Sequence, residues 1–246
     1  KKLASTILKE PVLVSVTDKN QSKLNANIKE LYYVVEEHER DEATMRLIDT
    51  EEPKKTIIFC RTKREVDRLS SALLARGYLA QGLHGDMEQP QRQEVVKNFH
   101  GGTIDTLVAT DVAARGLDVQ DVTHVFNFHI PFEPDSYVHR IGRTGRAGQK
   151  GIAITFVSPR EFRGLKRIKD TLGSKLENRT VPTLAEVKKI GESKLMDDLR
   201  EQRILKNAET LLQTLKAEIG EDIVAEKLLS YLLEQDETSG PDKIGL

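Results

Sequence analysis

HRIGRTGRAG, residues 139–148, is the most informative stretch of this 246-residue chain. Arg140, Arg143 and Arg146 recur at every third position, and each is followed two residues later by a glycine. A guanidinium group is a permanently charged, planar fork that matches phosphate oxygens, and glycine lets the backbone approach a ligand closely. The residues from Asp135 onward are typical of a short helix with the arginines at its end. This pattern favours a polyphosphate-binding loop over a solvated basic loop.

Upstream of this stretch, residues 31–158 alternate short apolar runs with amphipathic helical segments. This alternation predicts an α/β fold, a doubly wound parallel sheet with helices on both faces. Lys63–Arg76 and Gln89–His100 are the clearest helices. The expected strands are Leu31–Val35, Thr56–Cys60, Gly82–His84, Thr106–Ala109, His124–Phe128 and Gly151–Val157.

Polar and glycine-containing segments follow four of these strands. Residues 61–63, 84–86 and 110–118 come directly after strands, and the strand near residue 128 leads into the arginine-rich stretch. Ligands of doubly wound sheets bind in the loops beyond the carboxyl ends of the strands. Any one polar loop is unremarkable, but four at one edge indicate a site there.

Composition limits the remaining possibilities. Charged residues make up 31% of the chain and the formal net charge is −1, so any nucleic-acid binding must come from local patches. Cys60 is the only cysteine, which excludes an intramolecular disulfide and a multi-cysteine metal site. No apolar run reaches membrane-spanning length. We therefore expect a cytoplasmic protein with no membrane contact and no metal ligands of its own.

Taken together, the loops resemble the second RecA-like domain of a DEAD-box RNA helicase, in helicase superfamily 2. The resemblance covers roughly residues 25–170, and its motifs occur in the family order. The matching segments are FCRTK at 59–63 (motif IV), HGD at 84–86, QPQR at 89–92 (QxxR), ATDVAARGLD at 109–118 (motif V) and HRIGRTGR at 139–146 (motif VI).

The phosphate-loop pattern G-x-x-x-x-G-K-[ST] and the sequence Asp-Glu-Ala-Asp do not occur in the chain. In the resembled family both belong to the first RecA-like domain, where they hold the phosphates and Mg²⁺. Residues 1–24 resemble the last strand of that domain and the linker that leaves it. The resemblance thus implies the C-terminal part of a longer ATP-dependent helicase, with ATP as cofactor and the first domain as partner.

The resemblance also assigns roles on the nucleotide side. Arg143 and Arg146 would act as arginine fingers on a γ-phosphate held by the first domain. Gly116 and Asp118 would contact the ribose and phosphate side of ATP. His139 would hydrogen-bond to motifs of the other domain, although a structural histidine at a helix end is the alternative.

On the RNA side, the resemblance implies contacts mainly to phosphates, with Arg92 as the best single candidate. Asp86 is an acid beside phosphate, so capping the next helix or orienting Arg92 is an equally good role for it. The other expected RNA-binding residues are Arg61, Thr62, Gly85 and Thr110.

The expected domains are residues 1–24 (the end of the first domain), 25–172 (the second RecA-like domain), 173–236 (a small all-helical domain) and 237–246 (a flexible tail). The helical part is rich in leucine and resembles, more weakly, the dimerisation domains of some bacterial DEAD-box proteins. We expect a homodimer through residues 183–235, with packing on the chain's own domain as the alternative. Two other functions stay open, an RNA-binding scaffold that never meets ATP and a DNA-directed superfamily 2 helicase.

Overall fold

A computed structural model describes residues 24–115, 117, 119, 121–235 and 240–246, with residues 234 and 235 as backbone only. The prediction for residues 1–24 therefore lies almost wholly outside the described residues. The seven described strands form one sheet in the order β3-β4-β2-β5-β6-β1-β7, and all their pairings are parallel. They are β1 (Ile28–Val34), β2 (Thr56–Cys60), β3 (Ala80–Leu83), β4 (Thr106–Thr110), β5 (His124–Asn127), β6 (Gly151–Val157) and β7 (Glu177–Arg179).

The helices cover both faces of this sheet, which confirms the doubly wound α/β fold. Neighbouring residues of β2 show the two-sided burial: Ile57 and Ile58 are both fully buried but belong to different apolar clusters. The helices are α1 (Arg40–Glu51), α2 (Lys63–Ala75), α3 (Gln89–Gly101), α4 (Asp111–Ala114), α5 (Pro134–Ile141), α6 (Phe162–Leu172), α7 (Leu184–Glu201), α8 (Ala208–Ile219) and α9 (Glu221–Gln235). None of the helices within the described ranges has the length and apolar character needed to cross a membrane.

The sheet extends further along the chain than the sequence indicated. The sequence predicted that the α/β domain ends at residue 172, but β7 pairs with β1 beyond that point, with Leu31 opposite Glu177. The three residues of β7 are polar and exposed, so they carry no strand pattern of their own. The purely helical part begins only at α7, where the Thr183 hydroxyl accepts a hydrogen bond from the Glu186 backbone N–H at 3.2 Å.

The C-terminal segment also differs from the expected flexible tail, because residues 240–246 lie against the α/β domain. Ile244 is buried, and the Leu246 N–H donates to the Val34 carbonyl at 2.8 Å. Arg46 on α1 is fully buried and donates to the carbonyls of Pro241 (2.5 Å) and Asp242 (2.9 Å). A buried guanidinium requires several acceptors, and the last residues of the chain provide two of them.

Candidate functional site

The segments that were expected to form a site lie at the carboxyl edge of the sheet. Strands β3, β4, β2 and β5 are consecutive neighbours in it, and all run in the same direction. Parallel strands end on the same side, so the loops that follow them share one edge. The fold therefore brings the four polar loops to the same side of the domain.

Arg140 has a structural position within the arginine-rich stretch, which corrects its interpretation as a phosphate ligand. Its side chain is only 4% exposed and makes a two-point contact with Asp111, from Nε at 2.6 Å and from Nη2 at 2.7 Å. Nη1 donates to the His129 carbonyl at 3.0 Å, and the guanidinium lies over the Phe59 ring. With its donors engaged inside the protein, Arg140 joins α5 to the start of α4.

Thr144 and Gly145 hold the same stretch against the sheet. The buried Thr144 hydroxyl lies 2.6 Å from the Val122 carbonyl oxygen, to which it donates. Gly145 has a φ of 67°, and a Cβ there would lie 2.6 Å from a side-chain carbon of Ile28. This position therefore requires glycine for its backbone conformation and for space.

His139, Arg143 and Arg146 lie on the other side of this stretch. His139 and Arg146 are exposed, and Arg143 is half-buried. Arg143 Nη1 donates to the Leu117 carbonyl at 2.8 Å, and Arg146 Nε donates to the Gly142 carbonyl at 2.8 Å. The three expected catalytic residues are thus at the surface, whereas the intervening Arg140 and Thr144 point inward.

A pocket of about 270 Å³ opens beside these residues. Arg115 and Arg143 contribute guanidinium groups to its lining, His139 an imidazole and Ser136 a hydroxyl, and the Asp111–Arg140 pair also borders it. The residues expected to contact ATP in the adjoining loop, Gly116 and Asp118, lie outside the described residues.

Arg61 and Thr62 follow β2, where both are exposed. Arg61 Nη2 donates to the Ile130 carbonyl at 3.1 Å and to Glu161 Oε1 at 2.6 Å. The Thr62 hydroxyl accepts from the Glu65 N–H at 3.2 Å, and the Glu65 carboxylate accepts from the Thr62 N–H at 3.1 Å. Thr62 thus caps α2, a role that the Thr-x-x-Glu spacing could have revealed.

Asp86 does not cap the next helix, which was one of the two structural roles that the sequence suggested for it. Its carboxylate pairs with Lys63, and this hydrogen bond lowers the pKa of the Asp86 carboxyl. Helix α3 is instead capped by Glu88, whose carboxylate forms a reciprocal pair with Gln91. The expectation that Asp86 caps the next helix is therefore wrong, whereas its orienting of Arg92 stays a prediction.

The remaining RNA-side candidates lie around the ends of β3 and β4. Arg92 is half-buried and donates from Nη2 to the carbonyl of Ala113. Thr110, the last residue of β4, is also half-buried. Gly85 is exposed, and a Cβ built there meets no other atom within 4 Å. No packing contact among the described residues therefore demands a glycine at position 85.

Sequence reasoning missed a buried ionic cluster at the same edge. Arg40 is fully buried, donates to the carbonyl of Phe128, and pairs through Nη2 with Glu161 at 2.6 Å and Glu37 at 2.9 Å. Burial opposes ionisation of Glu161, but hydrogen bonds from Ser158 and the charge of Arg40 lower its pKa overall. No local pattern marks these residues, because Arg40 and Glu161 lie 121 positions apart.

Comparisons with known proteins identify relatives of this arrangement. Residues 39–148 match the family described as helicase conserved C-terminal domain. The whole chain is 43% identical to the DEAD-box ATP-dependent RNA helicase RhpA of Helicobacter pylori and spans 47% of that protein's length.

Two solved structures are similar to the chain. The Escherichia coli DEAD-box protein SrmB, bound to regulator of ribonuclease activity A, is 37% identical with a TM-score of 0.60. That match covers 63% of this chain and 91% of the SrmB chain. Saccharomyces cerevisiae Dbp5, bound to RNA and ADP BeF3, is 30% identical with a TM-score of 0.67, over 78% of this chain and 51% of the Dbp5 chain.

Proposed function

The chain belongs to the DEAD-box RNA helicases as their C-terminal RecA-like domain, and we propose that it supplies one half of an ATP site and one half of an RNA site. The whole protein would be an ATP-dependent RNA helicase, the activity that the name of the H. pylori relative gives to that protein. The observation that carries this proposal is that some residues of 139–146 point into the protein and others lie at its surface. Arg140 and Thr144 secure the loop from inside, and His139, Arg143 and Arg146 remain at the surface.

Arg143 and Arg146 are the proposed arginine fingers. Phosphoryl transfer depends mainly on positioning and on neutralising the charge that develops in the transition state, which guanidinium groups do well. The carbonyls of Leu117 and Gly142 restrain the two side chains. This restraint reduces the conformational entropy that would be lost when the guanidinium groups engage a phosphate.

The groups around the 270 Å³ pocket suit a triphosphate, because Arg115 and Arg143 are permanent cations and Ser136 adds a hydroxyl donor. The pocket is also lined by Asp111, whose carboxylate is paired with Arg140. His139 would transmit the nucleotide state to the first RecA-like domain by a hydrogen bond. Gly116 and Asp118 would contact the ribose and phosphate side of ATP. When bound, ATP supplies the free energy by transfer of its γ-phosphoryl group to water, with Mg²⁺ held by the first domain.

RNA would bind along the same edge of the sheet through its phosphates, which gives weak base selectivity. Arg92 is the main proposed contact, and its bond to the Ala113 carbonyl uses one of five N–H donors. The open space above Gly85 supports a close approach of a phosphate to the backbone there. Arg61, Thr62, Thr110 and Asp86 complete the proposed RNA side.

The chain alone should neither hydrolyse ATP nor unwind duplexes, since its sequence has no phosphate loop for the fingers to act on. The decisive experiment measures ATP turnover by the complete protein and by the chain alone, with RNA, with DNA and with no nucleic acid. RNA-dependent turnover by the complete protein only is the expected result. Stimulation by DNA would favour a DNA-directed helicase, and RNA binding without turnover would favour a scaffold.

Helices α8 and α9 support the further proposal of a homodimer through residues 183–235. Within a single chain these helices leave large apolar side chains exposed, and burying such side chains is favourable. A second copy of the same helices would cover them in a symmetric interface. The exposed apolar residues are Leu211, Ile223, Leu228, Leu229, Tyr231, Leu232 and Leu233.

A further inference from the structure

Three potential metal ligands come together at the carboxyl ends of three neighbouring strands. Glu37 follows β1, His129 follows β5 and Glu161 follows β6, and these strands are adjacent in the sheet. One ligand atom from each residue lies within 4.8 Å of the other two. We propose that Glu37, His129 and Glu161 bind a divalent transition-metal cation of the zinc type.

The orientation of His129 is the observation that points to a ligand. Its side chain is only 4% exposed, and Nε2 lies 2.9 Å from Glu65 Oε1. Nδ1, on the opposite side of the ring, faces Glu37 and Glu161 instead.

Nδ1 is buried and has no hydrogen-bond partner. It faces Glu37 Oε2 at 3.7 Å and Glu161 Oε1 at 3.9 Å. Both distances exceed hydrogen-bond length, so Nδ1 makes no direct hydrogen bond to either carboxylate. A buried polar atom without a partner is unfavourable, and a cation between Nδ1 and the two carboxylate oxygens would satisfy all three atoms.

The spacing of the three atoms suits a small ion. Zinc binds imidazole nitrogen and carboxylate oxygen at about 2.0–2.2 Å, which separates neighbouring ligand atoms by roughly 3.3 Å in a tetrahedral site. The 3.7 Å and 3.9 Å pairs would contract by about half an ångström, and the two carboxylate oxygens, which lie within the 4.8 Å cluster, by up to about 1.5 Å. The Glu65 carboxylate on the opposite ring nitrogen is the usual orienting partner of a metal-bound histidine.

The arginines of the cluster leave room for the ion. Arg40 Nη2 binds Glu37 Oε1 and Glu161 Oε2, the carboxylate oxygens other than the two that face the imidazole. Arg61 Nη2 does bind Glu161 Oε1, but a carboxylate oxygen has lone pairs for two partners. With Glu65, three carboxylates face two guanidinium groups, which leaves one net negative charge for a cation to offset.

A bound cation would share Glu161 Oε1 with Arg61, one of the proposed RNA contacts, and would therefore change the strength of that hydrogen bond. It would also join the turns after three strands. Mg²⁺ is a poor occupant, since it prefers oxygen ligands and retains its waters, whereas this set includes an imidazole nitrogen.

The test is calorimetric titration of the whole chain with Zn²⁺ in the presence of excess Mg²⁺, for wild type, Glu37→Gln and His38→Gln. Glu37 is more than half exposed, so its substitution leaves the fold intact. His38 is its exposed neighbour and serves as the matched control. We expect one site in the wild type and in His38→Gln, and at least a tenfold loss of affinity in Glu37→Gln.

Imidazole ¹⁵N spectra provide the second readout, because Zn²⁺ should shift Nδ1 of His129 while Nε2 keeps its proton. Absence of zinc binding would overturn the proposal. The proposal would also be overturned if zinc bound equally well to Glu37→Gln and left the ¹⁵N shift of His129 Nδ1 unchanged. The zinc would then be bound by other histidines at the surface.

Discussion

The division of the arginine-rich stretch predicts that Asp111→Ala destabilises the protein far more than Arg146→Ala does. Asp111 is the main partner of Arg140, whose side chain is 4% exposed. Removing one member of a fully buried ion pair costs about 3–5 kcal/mol, because the other charge is left unpaired. The Asp111 side chain is 40% exposed, so water replaces part of the lost contact. We therefore expect a loss of about 2–3 kcal/mol in the free energy of unfolding.

The assay is urea unfolding of the whole chain at neutral pH, followed by far-ultraviolet circular dichroism. For a chain of this size the expected loss lowers Tm by roughly 4–12 °C. Arg146 is exposed, so Arg146→Ala should change the free energy of unfolding by about 0.5 kcal/mol or less. Equal free energies of unfolding for Asp111→Ala and wild type would refute the structural role of Arg140. A large loss of stability in Arg146→Ala would refute the assignment of Arg146 to the surface.

Four further predictions concern function, assembly and pH. In the complete protein, Arg143→Ala and Arg146→Ala should each reduce RNA-dependent ATP turnover by about a hundredfold or more while RNA binding is retained. Near wild-type turnover of either variant would show that the substituted arginine is not a finger. Arg92→Ala should weaken RNA binding and lower the slope of log affinity against log salt by about one, whereas an unchanged slope would exclude a phosphate contact. Light scattering of the wild-type chain at tens of micromolar should give twice the chain mass, and the double variant Leu229→Glu, Leu232→Glu should be a monomer. A monomeric wild type would contradict the dimer. The Glu65 pKa falls from 4.5 to about 2 on folding, so its stabilising contribution is present above about pH 4.5 and disappears as the pH falls towards 2. In acid unfolding, Glu65→Gln should therefore lose less stability than wild type between about pH 4.5 and 2. Equal losses of stability in the two proteins would argue against the pairing of Glu65 with His129.

Much of the sheet follows from the sequence because its strands are buried on both faces. Thr56–Cys60 and Gly151–Val157 have the predicted bounds, since a continuous apolar run is typical of a strand between two helical layers. The structure of α1 was not predictable in this way. Arg40 and Arg46 are among its buried residues, so its apolar periodicity is interrupted where the helix meets the core. β7 has no apolar residue and forms only because β1 offers an unpaired edge.

The candidate site was predictable as a set of loops, but the directions of its side chains were not. Arg140, Arg143 and Arg146 have similar local sequence surroundings, and it is Asp111, 29 positions before Arg140, that selects the inward one. The surroundings of the unsatisfied His129 nitrogen were not predictable either, because the carboxylates that face it belong to Glu37 and Glu161, which lie far from His129 in the chain. Ionic partners at long sequence separation leave no local signature.

The contacts of Arg46 have a consequence for the order of events during biosynthesis. Glu42 precedes Arg46 in the chain, but the Pro182 carbonyl emerges 136 positions after Arg46 and the Pro241 carbonyl 195 positions after it. At about 5–20 residues per second, a ribosome needs roughly 10–40 s to cover that distance. Throughout that interval the Arg46 guanidinium of a nascent chain would lack its full set of acceptors. The α/β domain therefore reaches its final stability only after helices α7–α9 have been synthesised.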